Sequence, residues 1–111
     1  MNVTITISED IARHLNQMPF QQADDMDSRL RILLEAEYRR QLAQFSLTDR
    51  ELARKYKMSF DEFERQRITE QKDYSWEVES DAIAWDTAVD GIRTVRRQLM
   101  ELKSGEKAND H

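Results

Sequence analysis

Carboxylates are the most frequent reactive groups between residues 61 and 90. Asp86 and Asp90 are four residues apart, so a helix would place both on one face. Glu79 or Asp81 could join them around a divalent cation. Calcium and magnesium, however, need several converging oxygens, which proteins usually supply from a constrained loop. A solvated acidic face is the better interpretation, and we predict no metal site.

Other residue types used in catalysis are few. The chain has no cysteine, so it offers neither a disulfide nor a thiolate. Its two histidines are far apart, and His14 is placed to pair with Asp10 on a helix surface. Gly91 and Gly105 are the only glycines, which excludes a glycine-rich phosphate loop. The sequence predicts a protein that is not an enzyme and has no cofactor.

The first residues have the pattern of a β-strand. Residues 3–7 are all β-branched and alternate apolar with hydroxyl side chains, which is the period of a half-buried strand. The remainder is predicted to be helical, so the strand has no partner within the chain. We therefore expect it to pair with the same strand of a second copy. The predicted fold class is mainly α, with an N-terminal β-strand paired across a homodimer as in ribbon-helix-helix proteins.

The two faces of such a ribbon would have different tasks. The inner face and the second helix would form the dimer core, with Val3, Ile5, Ile7, Leu30 and Leu34. The outer face would enter the major groove of operator DNA, and the start of the second helix would hold a phosphate. The candidate DNA-binding residues are Asn2, Thr4, Thr6, Ser28, Arg29 and Arg31. Because the outer strand face has no Arg or Lys, a ribbon used only for dimerisation is nearly as good an interpretation.

Helix starts are predicted from capping residues. Ser8 precedes a first helix that ends at Pro19, and a polar linker over residues 20–25 leads to a second helix from about residue 28 to 45. Capping boxes at 48–51 and 59–62 predict two further helices. Residues 73–81 are poorly periodic and are predicted as a linker. A final helix over 80–103 contains Gly91, where a kink or a close backbone contact is expected.

Charge is distributed unevenly along the chain, which has a net charge of −5. Residues 29–57 contain eight basic and four acidic side chains, whereas residues 61–90 contain ten acidic and three basic ones. Such a split suggests different partners for the two halves. We divide the chain into a dimerisation and possible DNA-binding region at 1–45, a helical partner-binding region at 46–103 and a disordered tail at 104–111.

Aromatic residues among the carboxylates indicate a protein-binding surface in the second region. Large aromatic side chains often anchor interfaces, and surrounding acid would suit a basic groove on another protein. Phe63 and Trp85 are assigned to the core. The candidate partner-binding residues are Tyr74, Trp76, Glu77, Glu79 and Asp81.

Four short motifs in this half resemble a known family. They are LTDR at 47–50, KYKMSFDEF at 55–63, YSWEVESD at 74–81 and WDTAVDGI at 85–92. Together they resemble the carboxy-terminal part of small prokaryotic antitoxins, most of all those paired with TumE-family toxins, over about residues 29–100. Members of that family often have glycine at the position of Lys57. The resemblance implies a cytoplasmic type II toxin-antitoxin module, in which the chain binds and neutralises a toxin and represses its own operon through DNA.

Two other interpretations stay open at this point. The chain could be a stand-alone regulator of ribbon-helix-helix type, or a helical adaptor without affinity for nucleic acid. No run of 18 apolar residues occurs, and the N-terminus lacks the features of a signal peptide. We therefore expect a cytoplasmic protein without a membrane partner.

Overall fold

The computed structural model describes the backbone of residues 1–19 and 25–109, with side chains up to residue 105. Within these ranges the chain forms five helices, which confirms the mainly α fold class. It divides into two compact units, Met1–Leu34 and Glu35–His111. The functional division proposed at residue 45 stays a prediction. The helices are α1 (Glu9–Gln17), α2 (Met26–Tyr56), α3 (Phe60–Arg65), α4 (Ile68–Gln71) and α5 (Trp76–Asn109).

The predicted N-terminal strand is wrong. Residues 1–8 have no regular secondary structure, and no strand occurs anywhere in the described ranges. A strand exists through its hydrogen bonds to a neighbour, so alternating β-branched residues are not sufficient to form one. The ribbon-helix-helix element is therefore replaced by an irregular segment that leads into α1.

α1 begins as its capping residue predicts. The hydroxyl of Ser8 accepts a hydrogen bond from the backbone N–H of Ile11 at 3.2 Å. Asp10 in the first turn pairs with Arg13 at 2.7 Å and lies 3.6 Å from His14, as a surface pair would. Most of the predicted linker that follows, residues 20–24, lies outside the described residues.

α2 is longer than predicted and continues through the first capping box. The helix has 31 residues, whereas the sequence predicts an end near Phe45 and a new start at Thr48. The Thr48 hydroxyl donates instead to the carbonyl of Gln44 at 3.3 Å, a bond that threonines make inside helices. A capping sequence therefore starts a helix only where the chain has already left helical geometry.

α2 ends at Tyr56 and is followed by a left-handed residue, Lys57, with φ of 57°. The next N–H, that of Met58, donates to the carbonyl of Ala53 at 3.2 Å, as in a Schellman motif, where glycine is usual. Ser59 then caps α3 by accepting from the N–H of Glu62 at 3.2 Å. The capping residue predicted at Ser59 is thus confirmed.

Trp85 is the centre of the core in the Glu35–His111 unit. Its side chain is fully buried, and Phe63, Ile68 and Val78 are buried beside it. The ring centroids of Phe63 and Phe60 lie 5.1 and 5.4 Å from that of Trp85. The assignment of Phe63 and Trp85 to the core is therefore confirmed.

α5 is longer than predicted at both ends. It begins at Trp76, where the Ser75 hydroxyl accepts from the N–H of Val78 at 3.3 Å, so much of the predicted linker at 73–81 is helical. Its backbone stays helical to Asn109, beyond residue 104, where the sequence predicts a disordered tail. Within the described part of the chain, no helix is long and apolar enough to cross a membrane.

The ring of Phe45, on α2, lies directly against Gly91 of α5. A Cβ atom added to this glycine would lie 2.6 Å from the ring of Phe45, well inside van der Waals contact. The close backbone contact expected at Gly91 is confirmed, because any side chain at this position would require the Phe45 ring to shift.

Candidate partner-binding surface

The turn between α4 and α5 has an unusual backbone. Asp73 and Tyr74 both have φ of 55°, a left-handed conformation that costs a non-glycine residue roughly 1–2 kcal/mol. The turn is held by hydrogen bonds from the N–H of Asp73 to the carbonyl of Glu70 at 3.0 Å, and from Tyr74 to Thr69 at 2.9 Å. Strain of this kind persists where the surrounding structure enforces it, often at functional positions.

This turn presents two aromatic side chains to solvent. Tyr74 is 58% exposed, and Trp76, the first residue of α5, is 83% exposed. Burying a tryptophan would stabilise the fold by removing a large apolar area from water. The fold leaves this one outside although it buries Trp85 completely. The aromatic part of the predicted partner-binding set is thus accessible.

A polar cluster fixes the first turns of α5 to the end of α2; we call it the Lys55 latch. The Lys55 ammonium lies 2.7 Å from a carboxylate oxygen of Glu77 and 2.6 Å from one of Asp81. The Tyr56 hydroxyl donates to the same oxygen of Asp81 at 2.6 Å. The latch comprises Lys55, Tyr56, Glu77 and Asp81, and it holds the segment that carries Trp76.

Each partner in the latch alters the pKa of the others. Hydrogen bonds to Asp81 and Glu77 raise the pKa of Lys55 above its usual range. Partial burial alone would raise the pKa of Asp81, but the hydrogen bonds from Lys55 and Tyr56 outweigh it and lower that pKa. Partial burial and the bond to Asp81 raise the pKa of Tyr56 to about 12. At neutral pH the latch is therefore fully formed, with Asp81 ionised and Tyr56 neutral.

The latch predicts an alkaline loss of stability. The pKa of Tyr56 is higher in the folded chain than its usual 10.0, so its contribution is complete below pH 10 and is lost as the pH rises through about 12. In an absorbance titration of the three tyrosines, we expect one to ionise only near pH 12. That late step should vanish in Tyr56→Phe and remain in Tyr74→Phe. A late step that survives in Tyr56→Phe would show that Tyr56 is not the tyrosine that ionises late.

The latch also divides the predicted acidic residues into two groups. Glu77 and Asp81 already pair within the chain, so a partner would have to compete with Lys55 for them. Glu79 is exposed, and among the described residues it makes no ion pair within 4.0 Å. The surface open to a partner is therefore centred on Tyr74, Trp76 and Glu79.

The predicted DNA-binding residues are not brought together as a ribbon. Asn2, Thr4 and Thr6 are exposed in the irregular N-terminal segment. The N–H of Ser28, expected to hold a phosphate, donates to the carboxylate of Asp25 at 2.7 Å. A carboxylate at this position takes the place that an anion would occupy. The pKa of Asp25 is lowered by its hydrogen bonds from Ser28, so it is ionised there.

The two arginines of that set are also engaged within their own unit. Arg29 donates to the side-chain oxygen of Asn16 at 2.6 Å, and Arg31 pairs with Asp27 at 2.9 Å. DNA binding stays a prediction, now without the ribbon that would have presented these residues.

The predicted dimer-core residues are largely open in a single chain. Val3, Ile5 and Ile7 are exposed in the N-terminal segment, and Leu34 is exposed on α2, whereas Leu30 is half-buried. Since the predicted ribbon is absent, these side chains no longer share one inner face.

Among the described residues, no group of His, Cys, Asp or Glu is arranged to hold a metal ion. Comparison with protein-family models, curated proteins and solved structures finds no match. The function must therefore be argued from the surface itself.

Sequence reasoning missed two contacts that join α2 to α5. One is the Lys55 latch, in which Lys55 bonds to Glu77, 22 positions along the chain, and to Asp81, 26 positions along. The other is the hydrogen bond from the Trp85 indole N–H to the carboxylate of Asp49 at 2.7 Å. Both lie within the four motifs that resemble antitoxins, but nothing in their spacing indicates the contact. Ser75, by contrast, was a detectable capping residue before two acidic first-turn positions.

Proposed function

We propose that this chain is a cytoplasmic antitoxin, which binds a toxin protein through the surface formed by Tyr74, Trp76 and Glu79 and so neutralises it. The observation that carries the proposal is the 83% exposure of Trp76 at the start of α5, whose Glu77 and Asp81 pair with Lys55. Tryptophan is one of the residue types most enriched among the energetic anchors of protein interfaces.

Charge supports a partner with a basic surface. The region around the exposed aromatics contains ten acidic and three basic residues between positions 61 and 90, and Glu79 lies one helical turn from Trp76. Complementary charge speeds association and selects partners, while the aromatic rings fill pockets. A basic groove that binds nucleic acid on the toxin would fit both properties. The motif resemblance to antitoxins supports the same assignment.

The proposal is tested by growth and by binding. Cells that express the protein encoded by the neighbouring reading frame should stop growing, and co-expression of this chain should restore growth. In the purified complex, Trp76→Ala and Tyr74→Ala should each weaken binding at least about tenfold, the range expected for interface anchors. Leu47→Ala is the matched control, because Leu47 is a half-exposed apolar residue on α2.

The alternatives predict different results. A helical adaptor would bind a partner through the same surface without restoring growth. If Leu47→Ala and Trp76→Ala weakened binding equally, or if neither weakened it, the toxin would not bind through the surface of Tyr74, Trp76 and Glu79. No arrest by the neighbouring protein, or arrest that this chain does not relieve, would contradict the antitoxin function.

A further inference from the structure

A charged stripe runs along the exposed face of α5. Its six residues follow one another at alternating spacings of three and four, which places them in a single line on a helix. The apolar residues at its ends, Ile83 and Met100, are each 70% exposed, and the four charged residues between them are exposed as well. The α5 stripe consists of Ile83, Asp86, Asp90, Arg93, Arg97 and Met100.

Two of the three spacings between successive charges in the stripe are unfavourable within one helix. Asp86 and Asp90 are like charges four residues apart, and so are Arg93 and Arg97, spacings that destabilise an isolated helix. Among the described residues, Arg97 has one acidic neighbour, Glu101, at the long distance of 3.9 Å. The other three make no ion pair within 4.0 Å in the described part of the chain.

The helix dipole does not explain this order. Acidic residues stabilise the first turn of a helix and basic residues the last, and the effect fades within one turn. The stripe lies in the middle of α5, which extends from Trp76 to Asn109. Its charges are thus more than one turn from either end.

The charges of the stripe are complementary to those of the same stripe on a second chain in antiparallel orientation. When a second α5 lies antiparallel across a two-fold axis, Asp86 faces Arg97, and Asp90 faces Arg93. The same register brings Ile83 opposite Met100. Every like-charge neighbour within a helix then acquires an opposite charge across the interface, and the symmetry provides each pair twice.

We propose that the α5 stripe is a self-association surface, on which a second copy of this chain binds in antiparallel orientation. The alternating spacing keeps all six side chains on one face of α5, where a second helix can meet them together. Asp61 and Glu64 of α3 line the same surface hollow as Asp86, Asp90 and Arg93, and their negative charge favours an approaching arginine. The contact spans about 26 Å of helix, at 1.5 Å per residue.

This proposal does not depend on the proposed function, because it concerns the chain alone. An interface of one helix pair is small, so the dimer should be of moderate affinity. Its exposed charge pairs should weaken as salt screens them. We expect the purified chain to form a dimer in sedimentation equilibrium that dissociates on dilution and at high salt.

Charge reversal tests the register directly. The variant Asp86→Arg/Asp90→Arg makes the stripe entirely basic, and Arg93→Asp/Arg97→Asp makes it entirely acidic. Each should be monomeric by itself, with a Kd raised at least about tenfold. An equimolar mixture should form a heterodimer, because each acidic residue of one then faces an arginine of the other. Circular dichroism would verify that both variants keep their helices.

Several outcomes would overturn the proposal. A monomeric wild-type chain would do so, as would a dimer that both reversed variants retain, since it would then use another surface. Reversed variants that stay monomeric when mixed would reject the antiparallel register. If a charge-reversed variant loses its helices, Ile83→Glu tests the same surface with a single substitution. A folded Ile83→Glu variant that dimerises as strongly as the wild type would show that the α5 stripe is not the self-association surface.

Discussion

Trp85→Ala is expected to lower the free energy of unfolding by about 3–5 kcal/mol, the range for removing a large aromatic side chain from a core. The Trp85 side chain is fully buried, with the rings of Phe60 and Phe63 within 5.4 Å and 5.1 Å of its own. The substitution leaves a cavity among these rings. It also removes the indole N–H that donates to Asp49 at 2.7 Å, leaving a partly buried carboxylate without that donor.

The second tryptophan provides a matched control for this experiment. Trp76→Ala removes the same atoms from a side chain that is 83% exposed, so stability should change by less than about 0.5 kcal/mol. Urea denaturation of the two variants compares the same chemical change at a buried and an exposed position. Equal destabilisation by both would contradict the packing of α5 described above.

Gly91→Ala should destabilise the chain, by about 1–2 kcal/mol, although Ala normally stabilises a helix relative to Gly by about 1 kcal/mol. The reason is steric, because the new Cβ would lie 2.6 Å from the ring of Phe45. The helices or the ring would have to move apart. Thermal or urea unfolding of the purified variant measures the loss.

Removing the obstructing ring should reverse the sign of this effect. In a Phe45→Ala background, Gly91→Ala should raise stability by about 0.5–1 kcal/mol, since only its helix preference remains. A double-mutant cycle over the two positions therefore measures the contact itself. Stabilisation by Gly91→Ala in both backgrounds would show that α2 and α5 do not approach closely at this point.

The parts of the fold that were predictable depend on local chemistry. Ser8 and Ser59 cap helices because each needs only an N–H three residues ahead. Thr48 has the same local sequence signal, yet α2 continues through it. Whether a helix continues there is settled by the packing of the whole helix, which a four-residue motif does not record.

The incorrect or missed features involve partners distant in sequence. A β-strand at Val3 to Ile7 requires another strand, and the described chain has none. The Lys55 latch requires the end of α2 to lie beside the start of α5. Apolar periodicity shows which face of each helix is buried but not which residues of the two helices meet. Tyr74 and Trp76 were expected at the surface and are exposed there. Trp85 follows the apolar spacing of α5, which predicts its burial.

The left-handed turn at Asp73 and Tyr74 has a consequence for the thermodynamics of docking. Its backbone is hydrogen-bonded in the free chain, and the adjoining first turns of α5 are held by Lys55. The conformational entropy of this segment is thus lost when the chain folds and not when a partner arrives. The backbone that carries Trp76 is preorganised, so little of the interaction free energy of a docking protein is used to order that backbone.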